Sequence, residues 1–158
     1  MTLRLPLANK QHANIISAYA PTLTKEVKER FYKDLDKLIR SVPWHEKLFV
    51  LGDFNARVGT DHTIWEAVLG NNGVGKCNSI GLLLQRTRAE NDLLINNTVF
   101  RLPHRNKTSW MNPRSRHWHL IDFVTTRRTE RQQVRVIETS DVRDSDVVAA
   151  FSDCDVIY

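Results

Sequence analysis

The spacing of apolar and polar positions changes several times along the 158 residues, and each change predicts an element. Over residues 12–19, Ala13, Ile15 and Ser17 alternate with Asn14, Ile16 and Ala18, and Pro21 closes the strand they define. Over residues 22–40 the spacing becomes helical. Val27, Phe31, Leu35, Leu38 and Ile39 fall on one stripe, Thr24 is placed to cap it, and Ser41-Val42-Pro43 ends it. The other side carries Lys25, Glu29, Asp34 and Lys37 at spacings that allow ion pairs. Residues 47–51 then hold four apolar residues in succession, a buried strand that Gly52 stops.

Residues 60–79, bearing Gly70-Asn71-Asn72-Gly73 and Gly75, read as a long surface loop anchored by Trp65 and Val68. Gly70, Gly75 and Lys76 have the spacing of a phosphate-binding loop. Cys77 stands where Ser or Thr is needed, however, and no clear strand leads in, so the match is read as chance. A second helix is predicted over 80–90 with Leu82, Leu83, Leu84 and Thr87 inward, broken by Asn91-Asp92 before a short strand at 93–96. Strands are expected at 107–111 and 118–125, joined by a loop at 112–117, and again at 134–138.

Composition places this pattern in one ordinary globular domain, 41% hydrophobic and 26% charged. The net charge of +5 is unevenly spread: residues 101–135 hold nine Lys/Arg against Asp122 and Glu130, a local +7. Such a field suits a phosphate backbone, and a solvated basic face is the bland alternative. Cys77 and Cys154 are too far apart in sequence for a metal spacing or a disulfide framework, which favours a reducing compartment. There is no signal-like N-terminus and no membrane-length apolar run, so an intracellular setting, nuclear or cytoplasmic and without a membrane, is expected.

The candidate chemistry sits where the central strand ends. Asp53 and Asn55, two residues apart, can project together, and a carboxylate beside an amide suits holding a water or a metal near a phosphate. A simple strand-ending turn accounts for the same residues. His117 and His119 are also two apart, but without a third ligand a structural or solvent-facing role is preferred.

Leu51-Gly52-Asp53-Phe54-Asn55 resembles the Gly-Asp-(Phe/Leu)-Asn motif of the endonuclease/exonuclease/phosphatase family. Ile16-Ser17-Ala18-Tyr19-Ala20-Pro21 resembles its Tyr-x-Pro strand end, Thr108-Ser109-Trp110 its Thr-x-Trp, and Ile121-Asp122-Phe123-Val124 its Ile-Asp-(Tyr/Phe)-(Ile/Val). The motifs come in the family's order, and the likeness covers roughly residues 3–146. Phe100-Arg101-Leu102-Pro103 and the run from Trp110 through Pro113 to Trp118 resemble RTE-type retrotransposon endonucleases and the craniofacial development protein 2-like proteins derived from them.

The resemblance implies a DNase I-like two-sheet α/β sandwich, incomplete here, with residues 1–146 a partial domain and 147–158 a divergent tail. The pattern alone supports only a mixed α/β domain. By resemblance, Asp53 would orient or deprotonate the attacking water and contribute to a Mg²⁺ or Mn²⁺ site. Asn55 and Tyr19 would hold the phosphate, and Asp122 would orient a catalytic imidazole. DNA is the implied partner, met by Trp110, Arg114, Arg116, Lys107 and Arg105. The family's metal-binding Glu precedes the Tyr-x-Pro strand, and its closing Asp-His should follow Asp146; neither is recognisable, and no His follows His119. Weak or absent cleavage is therefore expected, with a non-catalytic nucleic-acid-binding or protein-interaction module as the alternative. An inositol-phosphate phosphatase is a third reading.

Overall fold

The computed structural model describes residues 1–139, 147–151 and 155–157. Its main sheet has the order β1-β2-β3-β7-β4. Strand β2 (His12–Tyr19) runs parallel to β3 (Lys47–Asp53), and helix α1 (Lys25–Ser41) makes the crossover between them. Strand β7 (Asp122–Arg127) lies antiparallel on the far side of β3, and β4 (Leu93–Ile95) follows it. Strand β1 (Thr2–Pro6) completes the sheet beside β2. It went unpredicted because its residues are mostly exposed and only the ladder to β2 makes them a strand.

Alternation along the strands gives the sheet two apolar faces. Ile16, Leu48, Val50 and Phe123 face α1 and α2 (Ser79–Glu90), which contribute Leu35, Ile39 and Leu84. Ala13, Phe49, Leu51 and Val124 face the other way and pack with Val134, the first residue of β8 (Val134–Thr139). Strand β8 heads a second sheet with β9 (Val147–Phe151) and β10 (Asp155–Ile157), all antiparallel. A short hairpin of β5 (Trp110–Met111) and β6 (Trp118–His119) precedes β7. This is the expected α/β class. Asp146 and Cys154, on which sequence expectations rest, lie outside the described residues.

Several details differ from the sequence expectation. The first helix starts at Lys25, and Thr24 occupies the N-cap without a side-chain cap bond. Its buried residues are Tyr32, Leu35 and Ile39, whereas Val27 is 40% exposed and Leu38 37%. In α2, Leu82 points outward while Gln85 and Arg88 are buried, because the inward stripe follows Leu84 rather than the run of leucines. Asn78 caps this helix, accepting from the Gly81 N–H at 2.7 Å. The expected strand at 118–125 is divided, since residues 120 and 121 carry the chain from the hairpin into the main sheet. Trp65 and Val68 do anchor the long loop against the core.

The end of the sheet away from the Asp53 turn is locked by charge. Arg127 donates to the carbonyls of Val42 (3.1 Å), Pro43 (3.1 Å), Trp44 (2.8 Å) and Glu46, and its guanidinium covers the Trp44 ring. The Glu46 carboxylate accepts from the Arg4 guanidinium and, at 2.8 Å, from the Asn14 amide. It thereby joins β1, β2 and the start of β3. These bonds, that to Arg4 first, hold the Glu46 pKa down from 4.5 to about 2. A carboxylate depressed on folding stabilises fully above its unfolded pKa, and the contribution is lost as pH falls through the folded value. Glu46→Gln should therefore flatten the loss of stability between about pH 4.5 and pH 2. Urea unfolding across that range measures it, and an unchanged acid limb would show that Glu46 is not the linked group.

Candidate functional site

Register decides what the ends of the central strands bring together. Tyr19 on β2 pairs with Asp53 on β3, which pairs with Asp122 on β7. Counting in steps of two, Tyr19 shares its face with Ala13, Asp53 with Phe49 and Leu51, and Asp122 with Val124. The three residues thus form one row across adjacent strands, on the sheet face away from α1 and α2. Tyr19 is 74% exposed at the open end of that row.

Gly52 shapes the approach to it. Its φ of +135° is glycine territory, and a Cβ there would lie 1.9 Å from the Ala18 carbonyl oxygen. Just beyond the row the strands are tied by Ala20 N–H to the Asp53 carbonyl (2.8 Å) and Phe54 N–H to the Ile121 carbonyl (3.0 Å). Phe54 turns inward and is fully buried. Asn55 adopts a left-handed backbone, φ 47°. Its N–H donates to Asp53 Oδ1 at 2.8 Å and its Nδ2 to the Ala20 carbonyl at 2.9 Å. The strand-ending turn and the converging carboxylate–amide pair are therefore one arrangement: Asp53 spends Oδ1 on the turn and leaves Oδ2 without a partner among the described residues.

Burial pushes the Asp53 carboxyl up, against the opposing Asn55 N–H. Asp122 is likewise pushed up, by burial first and then by the Asp53 charge, against the lowering effect of the nearby Ser109 hydroxyl. That hydroxyl accepts from the Ile121 N–H at 3.5 Å. Ser109 stood inside a motif recognised in the sequence, but nothing in the pattern marked it as a neighbour of Asp122. Asn97 was also missed. Its amide donates to the Asp122 carbonyl (3.2 Å) and accepts from the Val124 N–H (2.8 Å), fixing the strand that carries Asp122.

The hairpin beside the row is rigid in its turn. Asn112 Oδ1 accepts from Arg114 N–H (2.9 Å) and Ser115 N–H (3.2 Å), and its N–H donates to the His117 carbonyl at 2.9 Å. Arg114 and Arg116 are exposed. Trp110 stacks on His119 with ring centroids 5.9 Å apart. Burial, and then the charges of Arg57 and His117, push the His119 pKa down. Lys107 does not join this surface freely: its ammonium donates to the Asn72 carbonyl at 2.9 Å, and burial lowers its pKa. Arg105 is exposed one turn before the hairpin. Among the described residues no group of three or more His, Cys, Asp or Glu could hold a metal; the row supplies two carboxylates.

This fold has counterparts among solved structures. The TRAS1 endonuclease domain, from a telomere-specific non-LTR retrotransposon, aligns with TM-score 0.57 and 14% identity over 88% of this chain and 56% of its own. The Neisseria meningitidis 3′-5′ exonuclease NExo aligns with TM-score 0.59 and 16% identity over 95% and 64%. The Xenopus laevis APE2 catalytic domain aligns with TM-score 0.54 and 16% identity over 85% and 47%. The fold is that of the endonuclease/exonuclease/phosphatase, or DNase I-like, domains.

In sequence, the chain is a homologue of craniofacial development protein 2, 35% identical over 127 residues to the proteins of Bos taurus and Tragulus javanicus. That match takes in 79% of this chain but 21% and 22% of those proteins, so the chain spans about a fifth of their length. No family profile matches the sequence.

Proposed function

We propose that this domain engages DNA and hydrolyses its phosphodiester bonds, weakly when the 158-residue chain acts alone. The observation that supports the reading is the row of Tyr19, Asp53 and Asp122, with Asn55 folded back beside Asp53. Solved structures of this fold include two nucleases, one of which, NExo, is also described as a 3′ phosphatase and is seen bound to a product DNA hairpin, which makes DNA the first substrate to test. An intracellular setting, nuclear or cytoplasmic, belongs to the same proposal. No helix among the described residues is long and apolar enough to cross a membrane.

Hydrolysis needs a water stripped of its proton, a held phosphate and a stabilised leaving oxygen. Asp53 Oδ2 takes the water's proton, and its raised pKa makes it a stronger base than an ordinary carboxylate. Asn55 and Tyr19 hold phosphoryl oxygens. Asp53 and Asp122 are two hard oxygen donors on neighbouring strands, the kind of set that takes Mg²⁺ or Mn²⁺ with several waters retained; such an ion would neutralise charge on the phosphoryl and leaving oxygens. Asp122 is the orienting carboxylate, but the side chain beside it is the Ser109 hydroxyl, a far poorer proton donor than an imidazolium. That neighbour supports low activity.

The test is nicking of supercoiled plasmid with Mg²⁺ and, separately, Mn²⁺. Asp53→Ala should lower any nicking by about 10²–10⁴-fold, the range for a lost general base. Nicking that survives the substitution would remove Asp53 from the reaction. The exposed hairpin with Trp110, Arg114 and Arg116 supports a second reading, a non-catalytic DNA-binding module. Salt-sensitive DNA binding without nicking by the folded chain would favour that reading. A folded chain that neither binds nor nicks would overturn both.

A further inference from the structure

A cleft of about 500 Å³ lies between the hairpin and the loop that precedes α2. Arg57, Gly75, Lys76, Arg116, His117 and His119 are among its walls, and no carboxylate lines it. Neither Asp53 nor Asp122 belongs to it, yet two of its residues lie close to them along the chain: Arg57 is four residues after Asp53, and His119 three before Asp122. We infer that this cleft seats a second phosphate of the DNA strand, away from the phosphate at the Asp53 row, on Arg57, Lys76 and Arg116. The inference rests on the proposed action on DNA.

Several cations elsewhere are already engaged. Arg4, Lys25, Lys37, Arg40 and Arg128 are paired with carboxylates, while Arg127 and Lys107 are bonded to backbone carbonyls. Arg57, Lys76 and Arg116 have no carboxylate partner among the described residues, although they border one cavity. Like charges around a low-dielectric cleft repel one another and focus the field on an anion. Burial first, and then the Arg57 and His117 charges, push the His119 pKa down in the same wall, in line with a positive cleft.

The cleft is also built rather than incidental. Asn78 Oδ1 accepts from the Arg57 N–H at 3.0 Å, and the Asn78 N–H donates to the Arg57 carbonyl at 3.0 Å. Gly81 packs so closely on that carbonyl that a Cβ would come within 1.9 Å of it. The backbone of Arg57 is thus clamped while its side chain stays available. Gly75 and Lys76, whose spacing in the sequence only imitated a nucleotide-binding loop, here line a wall that takes phosphate by charge without that fold.

Binding of a short DNA duplex, followed by fluorescence anisotropy from low to moderate salt, tests this. Arg57→Gln with Lys76→Gln should weaken binding at least tenfold and reduce the slope of log K against log salt by about 2, one counterion-equivalent per lost contact. Lys25→Gln with Lys37→Gln removes the same charge from α1, which does not line the cleft, and should leave the slope in place. A folded cleft variant that behaves like this control would overturn the inference and spare the DNA reading. If the native chain binds no duplex, titration with inorganic phosphate decides between sources. Amide shifts at Arg57, Gly75 and Lys76 would then overturn the strand as the source of the phosphate, and no shifts would overturn the site itself.

Discussion

Arg88→Met is expected to stabilise the domain by about 1–4 kcal/mol, the range found when buried charge gives way to apolar side chains of similar volume. Arg88 is fully buried on α2, and none of its three guanidinium nitrogens has a hydrogen-bond partner among the described residues. Burial pushes its pKa down to about 10. At neutral pH the group is still charged in both the folded and unfolded states, so the desolvation penalty is carried in full. Compensation among the described residues comes from the Phe54 ring, 5.0 Å from the guanidinium carbon. A desolvated cation–π contact contributes on the order of 2 kcal/mol, less than the several kcal/mol that burying an ion costs. Methionine keeps an unbranched, polarisable side chain in the core and discards the charge. Urea unfolding should show a higher midpoint with an unchanged slope. A lower midpoint would mean that the Phe54 contact, which abuts Asp53 in the chain, outweighs the buried charge.

Gly52→Ala should have the opposite sign and at least comparable size, a loss of about 3 kcal/mol or more. Strained backbone at a non-glycine residue costs on the order of 1–3 kcal/mol. Here the new methyl would also meet the Ala18 carbonyl at 1.9 Å, in the ladder joining β2 to β3. Relief requires those strands to part where Tyr19 and Asp53 pair, so the row should loosen with the fold. Thermal unfolding measures the first effect. Amide shifts at Ala20 and Asn55, whose bonds flank the row, measure the second. A variant as stable as the native chain would show that the β2–β3 approach relaxes at little cost.

Much of this architecture is readable without coordinates, and what escapes has physical causes. Strands β2, β3 and β7 and both helices follow from apolar spacing, because each buries a face of its own. The coming together of Tyr19, Asp53 and Asp122 was implied only by resemblance, since register is a relation between strands that no single strand's pattern contains. Strand β1 escaped because its residues make a ladder rather than a core. Arg88, Gln85 and Tyr32 were missed for a related reason: hydropathy assigns charged and polar side chains outward, and only packing puts these three inside. Ser109 and Arg57 act through proximity across loops, which sequence spacing does not encode.

The Asn97 amide has a consequence for how this sheet meets other chains. Strand β4 accompanies β7 only as far as Ile95 opposite Thr125, which leaves the Asp122 end of β7 without a strand neighbour on that side. Asn97 donates to Asp122 and accepts from Val124 there, so one side chain imitates the peptide group a further strand would supply. Leu69 bridges the outer side of β4 at Ile95. The carboxylate end of the sheet is therefore capped against β-augmentation on the β4 side, where an extended peptide would find the ladder groups already taken by the Asn97 amide and by the bridge to Leu69.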